Sequence, residues 1–265
     1  MWTGVAFSPN YYPADMKTTT KLGDLRIGDI PYVVGTLSSL ESLNDFAAAQ
    51  VDACDIVEVR LDEIGERSAW LDGCKQIEAL GMPVILTIRL DNEGGKWDKR
   101  DELRMPFFEE ALKNLSAVDV EFDSKLVLKV CTLAKSLQKA VVISFHDFDK
   151  TPSFEELKKI AAKSAEHCSL VKISTMARTN QDVLTLQKLL ECDFGVPLCI
   201  IGMGTSATKT RIAFPSLGSC LTYGYLDTPS APGQLSASTL NEQLRTILPD
   251  YNQQFVIRKQ ILEYA

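Results

Sequence analysis

Histidine is nearly absent from this chain: 265 residues hold two, His146 and His167. Cysteine is present but unorganised. The seven residues Cys54, Cys74, Cys131, Cys168, Cys192, Cys199 and Cys220 are scattered, odd in number and form no C-x-x-C. That pattern argues against a disulfide framework or a zinc site and fits a reducing compartment. There is no excess of positive charge either. Lys and Arg total 28 against 35 Asp and Glu, a formal charge of −7. Nucleic acid and anionic membrane surfaces ask for a basic face, so neither is the expected main partner. A small anionic substrate, which needs only a few local cations, stays open. No apolar run approaches the ~18 residues of a membrane helix. Met1 to Asp15 lacks the basic-then-apolar order of a secretory signal. The expected location is cytoplasmic. No Pro/Gly/Ser-rich linker or low-complexity segment divides the chain.

What fills the chain is a repeated alternation. Short apolar, β-rich runs occur at Pro31–Leu37, Ile56–Asp62, Val84–Leu90, Ala117–Asp123, Val141–Asp147, Leu170–Thr175, Pro197–Gly202 and Cys220–Leu226. Near-continuous apolar runs are what parallel strands covered on both faces require. Amphipathic helices separate them. Phe154–Cys168 opens with Ser153 and Glu156 at capping-box spacing. Asn180–Cys192 and Leu240–Leu248 read similarly, and Ser124–Gln138 puts Leu126, Val130, Leu133 and Leu137 on one stripe. Eight strand–helix units predict a (β/α)8 barrel, with an open doubly wound α/β sheet as the alternative. Lys17–Asp29 reads as two extended pieces around Gly23-Asp24, a hairpin placed to close the barrel bottom.

In a barrel, chemistry belongs at the C-terminal ends of the strands. Lys172 lies inside Leu170-Val-Lys-Ile-Ser174. Buried there, it loses the solvation that holds its proton, as an imine-forming lysine must; the same pattern also suits a lysine at a strand edge facing water. His146 ends the fifth run. Histidine moves protons near neutral pH, although one histidine at a strand end is by itself as well read as structural. His167 ends a helix, where a partial positive charge is favoured. Glu58 and Arg60, two apart on a strand, share a face, and a charged pair inside a barrel needs a partner or ligand. Arg89 ends the third run. Glu93-Gly94-Gly95 follows as a flexible turn that swings a carboxylate into the site, while on pattern alone Glu93 is first a solvated loop acid. Gly202-Met-Gly204-Thr-Ser-Ala207, with Asp227 downstream, matches a dinucleotide fingerprint. Only one strand follows it, so that reading is rejected. Loops after the last strands of a barrel often bind anions, and Arg211 lies close by.

The stretches Val57-Glu-Val-Arg-Leu-Asp62, Thr87-Ile-Arg89 with Glu93-Gly-Gly95, Ser144-Phe-His-Asp-Phe148 with Thr151-Pro152, Val171-Lys-Ile173 and Ser230-Ala-Pro-Gly-Gln234 together resemble the type I 3-dehydroquinate dehydratases. The resemblance runs from Met16 to the end. It implies a single (β/α)8 barrel over residues 16–265, preceded by a flexible extension over 1–15. It also implies a homodimer without metal or organic cofactor, acting on 3-dehydroquinate in the shikimate pathway. Lys172 then resembles the imine-forming lysine, His146 the general acid/base and Glu93 its supporting acid. Glu58, Arg60 and Arg89 resemble the hydroxyl-binding set, and Arg211, Ser230 and Gln234 the carboxylate and loop contacts. One departure is Gly35, which stands where many relatives carry a serine; Thr36 and Ser38 are the candidates to replace it. A class I aldolase would share Lys172. A metabolite-binding barrel without activity would be marked by loss of Lys172 or His146.

Overall fold

The apolar runs become strands in the order the sequence presents them. The computed structural model describes residues 18–46, 50–67, 69–229 and 233–264; the extension expected over 1–15, and Ser230, lie outside these. A hairpin of β1 (Thr20–Leu22) and β2 (Leu25–Ile27) comes first. Then follow β3 (Tyr32–Leu37), α1 (Leu40–Asn44), β4 (Ile56–Arg60), α2 (Leu61–Ile64), α3 (Trp70–Ala79) and β5 (Val84–Thr87). The chain continues through α4 (Met105–Asn114), β6 (Ala117–Glu121), α5 (Val127–Ser136), β7 (Ala140–Asp147) and α6 (Phe154–Ala165). It closes with β8 (Leu170–Met176), α7 (Asn180–Leu190), β9 (Leu198–Met203), α8 (Thr210–Ser216), β10 (Leu221–Tyr225), α9 (Ala237–Ile247) and α10 (Pro249–Tyr264).

Strands β3 to β10 form one parallel sheet in the order β10-β3-β4-β5-β6-β7-β8-β9. The last strand pairs with the first, from Leu221↔Tyr32 to Tyr225↔Thr36. An open doubly wound sheet places no such pair, so the eight-stranded barrel is the architecture. The seam between β9 and β10 is held differently. One backbone bond joins Cys220 N to Leu198 O at 2.7 Å, and Ser219 Oγ accepts from Ile200 N at 2.9 Å in place of a ladder rung.

The barrel interior divides by height. Its lower half is apolar, with Val34, Ile56, Ile85, Val142, Leu170 and Leu221 packed together. Leu22 and Ile27 of the hairpin join this cluster, 2% and 0% exposed, so the hairpin plugs the bottom. Burying two such side chains contributes roughly 1.5–3 kcal/mol each. Gly23 makes the two-residue turn possible: its φ is +57°, and a Cβ there would lie 2.9 Å from Ser116 Oγ. The upper half is polar and forms the site described below.

The helices cover the outside. Ser153 and Glu156 form a reciprocal capping box on α6, and Thr179 with Asp182 does the same on α7. Helix α5 departs from the expected stripe. Val130, Cys131 and Ala134 face the sheet, whereas Leu137 is 36% exposed. Leu126 and Val130 hold the expected stripe, 2% and 0% exposed, and the small side chains at 131 and 134 complete the buried face in place of Leu137. Among the described residues, no helix is long and apolar enough to cross a membrane.

Helix α10 is pinned to the barrel bottom by charge rather than by an apolar face alone. Asp55, 3% exposed, accepts from Val33 N at 2.7 Å and from Tyr251 Oη at 2.9 Å, and it pairs with Arg258. Removing the acid leaves buried donors unmet. Asp55→Ala is expected to lower unfolding free energy by on the order of 3 kcal/mol, and Tyr251→Phe by about 1 kcal/mol. Urea titration checks both; equal, negligible losses would contradict the pinning role.

Candidate active site

Alternation along the strands brings titratable groups inward at the upper ends of β4, β6, β7 and β8, and just beyond β5. Glu58 and Arg60 both project inward from β4. Glu58 accepts Thr36 Oγ1 from β3 at 3.0 Å and Thr87 Oγ1 from β5 at 2.8 Å. Arg60 forks onto Asp62, with Nε to Oδ1 at 3.0 Å and Nη2 to Oδ2 at 2.7 Å. Asp62 also accepts the amides of Arg89 and Lys96, each at 3.1 Å, which ends β4 two residues before the expected boundary. Burial pushes the Asp62 carboxyl up, but Arg60 and the two amides more than offset it and hold it below the usual carboxylate range.

Lys172 does not face water. Only 5% exposed, it points into the barrel from β8. Its Nζ lies 3.1 Å from Asp119 Oδ2, 3.6 Å from Glu58 Oε1 and 4.3 Å from the centroid of the Tyr223 ring. Two carboxylates and a π face offset the desolvation of a buried ammonium. Asp119 is shared. Its Oδ1 accepts Arg89 Nη2 at 2.7 Å and Ser144 Oγ at 2.6 Å. Burial opposes its charge, yet Arg89 and Lys172 together drive the carboxyl far below the ordinary range, so it stays anionic.

Glu93 is 7% exposed, which overturns its reading as a solvated loop acid. The turn that carries it is held by its own backbone. The amides of Glu93 and Gly95 both bond to Leu90 O, at 3.1 and 2.9 Å. A Cβ on Gly95 would lie 2.1 Å from Arg89 O, and one on Gly94, at φ +77°, 2.4 Å from the Phe148 ring. Close approach, not flexibility, is what these glycines supply. Glu93 Oε2 accepts the His146 backbone N–H at 3.1 Å and contacts His146 Nδ1 at 2.9 Å. An oxygen already accepting one N–H is best met by a second donor. With Glu93 ionised, Nδ1 carries the ring proton and Nε2 is left as the base. Burial, then the charges of Arg89 and Lys172, push the imidazole well below its usual value. Burial, partly countered by Arg89, pushes the Glu93 carboxyl up to about 8.

Arg211 stands apart. It is 4% exposed and donates Nη1 to the Tyr223 carbonyl at 3.0 Å, while its Nε has no hydrogen-bond partner. No carboxylate contributes to its electrostatics, and burial alone lowers it to about 10. Among the described residues it is the cavity's arginine without an acid, which is what an anionic ligand group needs.

One cleft collects Glu58, Arg60, Arg89, Glu93, His146, Lys172, Arg211 and Gln234. These are all of the sequence-derived candidates except Ser230, which lies outside the described residues. Gly35 is not in it: a Cβ there would meet Cys54 Sγ and the Leu226 side chain, each at 2.7 Å, in the outer layer. Thr36, the next residue, faces the cleft. Asp227 serves no ribose. It accepts the amides of Ser38 and Ser39 at 2.8 and 3.0 Å, tying the segment after β10 to the one after β3. The sequence reading missed Asp119, Glu121 and Tyr223. The two acids had a usable signal, since Asp119 and Glu121 share the two-residue spacing of Glu58 and Arg60. Tyr223 had none.

A carboxyl with a folded value near 8 against an ordinary 4.5 binds more protons folded than unfolded across that interval. It therefore lowers stability as pH rises from about 4.5 through about 8. At ~1.4 kcal/mol per unit the effect is on the order of 4 kcal/mol. Glu93→Gln removes it and keeps an acceptor for Nδ1–H. The variant's stability relative to the parent is expected to improve between pH 5 and pH 9, as read by denaturation at both pH values. A constant difference would contradict the burial argument.

The family model for "Type I 3-dehydroquinase" matches residues 33–250. The 3-dehydroquinate dehydratase of Methanocella arvoryzae is 35% identical over 217 residues, covering 80% of this chain and 95% of the relative. The catabolic 3-dehydroquinate dehydratase of Acinetobacter baylyi is 33% identical, covering 91% of this chain and 94% of its own. The crystal structure of 3-dehydroquinate dehydratase from Geobacillus kaustophilus superposes with a TM-score of 0.76 at 25% identity, over 89% of this chain and 99% of that one. With four-fifths of its length matched and the barrel in common, the chain belongs to the type I 3-dehydroquinase family.

Proposed function

We propose that this chain dehydrates 3-dehydroquinate to 3-dehydroshikimate through a Schiff base on Lys172, serving the shikimate pathway as a cytoplasmic homodimer. The observation that carries the reading is the polarity of the cleft. A buried lysine between Asp119 and Glu58 occupies the same cavity as an uncharged imidazole and an arginine without an acid.

Lys172 gives one ammonium proton to the carbonyl oxygen and adds to C3 through the lone pair so freed on Nζ; a second proton then passes from that nitrogen to the same oxygen. Loss of that oxygen as water leaves a protonated imine, whose positive charge sits beside Asp119 and Glu58. The imine withdraws electrons from the adjacent C2–H bond. Nε2 of His146 takes the C2 proton, and the bonding pair forms the enamine. The enamine then expels the C1 hydroxyl, which leaves as water with the proton returned from His146. Hydrolysis of the conjugated imine frees Lys172 and the product. Glu93 keeps His146 in the Nδ1–H tautomer throughout. Arg211 takes the C1 carboxylate and so fixes which C2 hydrogen meets His146, while Glu58, Arg60 and Arg89 take ring hydroxyls. Ser230 and Gln234 are assigned to the carboxylate-side loop. A class I aldolase would share the imine but has no use for a cation placed for a carboxylate across the ring.

Borohydride added during incubation with 3-dehydroquinate is expected to leave a stable mass adduct on the peptide holding Lys172, with enone absorbance rising in untreated samples. His146→Ala should keep the adduct and lose about 10²–10⁴-fold in kcat. Arg211→Ala should raise KM by about 10–10²-fold, the worth of a charged hydrogen bond. No adduct and no turnover from folded protein would overturn the proposal.

A further inference from the structure

The acid–base end of the cleft is moored by a side chain that does not line it. Arg104 closes the 3-10 turn Asp101–Arg104 and is fully buried. Its Nη1 donates to Glu121 Oε2 at 2.6 Å and to the Ile88 carbonyl at 2.5 Å. Its Nε reaches Asp101 at 3.0 Å, and Nη2 reaches Asp101 at 2.5 Å and Ser124 Oγ at 3.1 Å. The other oxygen of Glu121 accepts the Leu90 amide at 2.9 Å and lies 3.3 Å from Arg89 Nη1. The Leu90 carbonyl accepts the amides of Glu93 and Gly95. A continuous line of hydrogen bonds therefore runs from Arg104 through Glu121 and Leu90 to Glu93, and from Glu93 to His146.

A planar guanidinium with its donors engaged on four partners permits one orientation, and its fork fixes Glu121 in turn. Glu121 has two oxygens and uses one on Arg104 and one on the Glu93-bearing turn. Any displacement of Arg104 is thus passed to the base of that turn. Lys172 lies further along: Arg104 reaches it only through Glu121, Arg89 and Asp119, and Glu58 on β4 holds it from outside that line.

We propose that Arg104 is a positioning residue for proton transfer: acting through Glu121 and Leu90, it holds Glu93 against His146, while the lysine nucleophile, two ion pairs beyond Glu121 and held also by Glu58, depends on it far less. This rests on the imine reading given above, and it divides the reaction into a step that needs Arg104 and one that needs it far less. Imine formation belongs to Lys172. Removal of the C2 proton belongs to His146 and Glu93. A role in stability alone would reduce the amount of folded protein and leave each folded site unchanged.

The test uses the full chain with Arg104→Met and Arg104→Lys, and Glu121→Gln as a milder lesion in the same line should Arg104→Met fail to fold. Borohydride trapping with 3-dehydroquinate counts the sites able to form the imine. Turnover is then expressed per trapped site, across pH, with substrate protonated or deuterated at C2. Arg104→Met is expected to trap on Lys172 as the parent does. Its turnover per trapped site should fall on the order of 10²-fold, the scale of a 1 Å misplacement. Its C2 isotope effect should rise, and the pH limb set by the His146–Glu93 pair should move. Arg104→Lys should recover part of the loss by keeping the charge on Glu121, and Glu121→Gln should show the same pattern at about a tenth of the size. Parent-like turnover per site, isotope effect and pH profile in a folded variant would overturn the proposal, as would loss of trapping in step with turnover. If the parent itself neither traps nor turns over, the imine reading fails and the positioning role falls with it.

Discussion

Asp119 cannot be moved without disturbing both halves of the cleft. One of its oxygens holds Lys172 and the other holds Arg89 and Ser144, all of them buried. Each cation in turn leans on a second acid: Lys172 on Glu58, Arg89 on Glu121. Acids and cations thus alternate along one chain of ion pairs, from Glu58 through Lys172, Asp119, Arg89 and Glu121 to Arg104. Breaking one buried pair typically costs about 3–5 kcal/mol, because the remaining charge stays unpaired. The polar half of the barrel is therefore rigid, while the apolar lower half and its hairpin plug carry the packing that stabilises it.

That rigidity gives the site its direction. The negative charge gathers around Lys172, where a protonated imine would form, and among the described residues Arg211 is the cleft's arginine without an acid. The Glu93–His146 pair keeps its imidazole uncharged because burial and two neighbouring cations disfavour a third charge. Stability is given up at Glu93, whose carboxyl resists ionisation in the folded state, and proton-transfer capacity is what the arrangement gains.

Much of this was legible in the residues because it follows from periodicity. Strands covered on both faces need unbroken apolar runs, and the eight runs became the eight barrel strands. Glu58 and Arg60 announced themselves as charges two apart on such a run. Asp119 and Glu121 carry the same mark but were read past. On α5 the stripe holds at Leu126, Val130 and Leu133 and fails at Leu137, where the small Cys131 and Ala134 take over the buried face. The burial of Glu93 was illegible for a different reason. Its turn looks solvated in one dimension, and only the packing of Gly94 under Phe148 and Gly95 against Arg89 closes it. Gly35 misled by one position: strand alternation turns it toward the outer layer and gives the cleft Thr36.

A crystal structure of the borohydride-reduced complex with 3-dehydroquinate addresses the polarity of the cleft most directly. The account predicts a covalent bond from Lys172 Nζ to ring carbon C3 beside Asp119 and Glu58. It also predicts the ring carboxylate on Arg211 and Nε2 of His146 facing C2. A ring bound in the opposite sense, with its carboxylate away from Arg211, or a bond to another lysine, would contradict it.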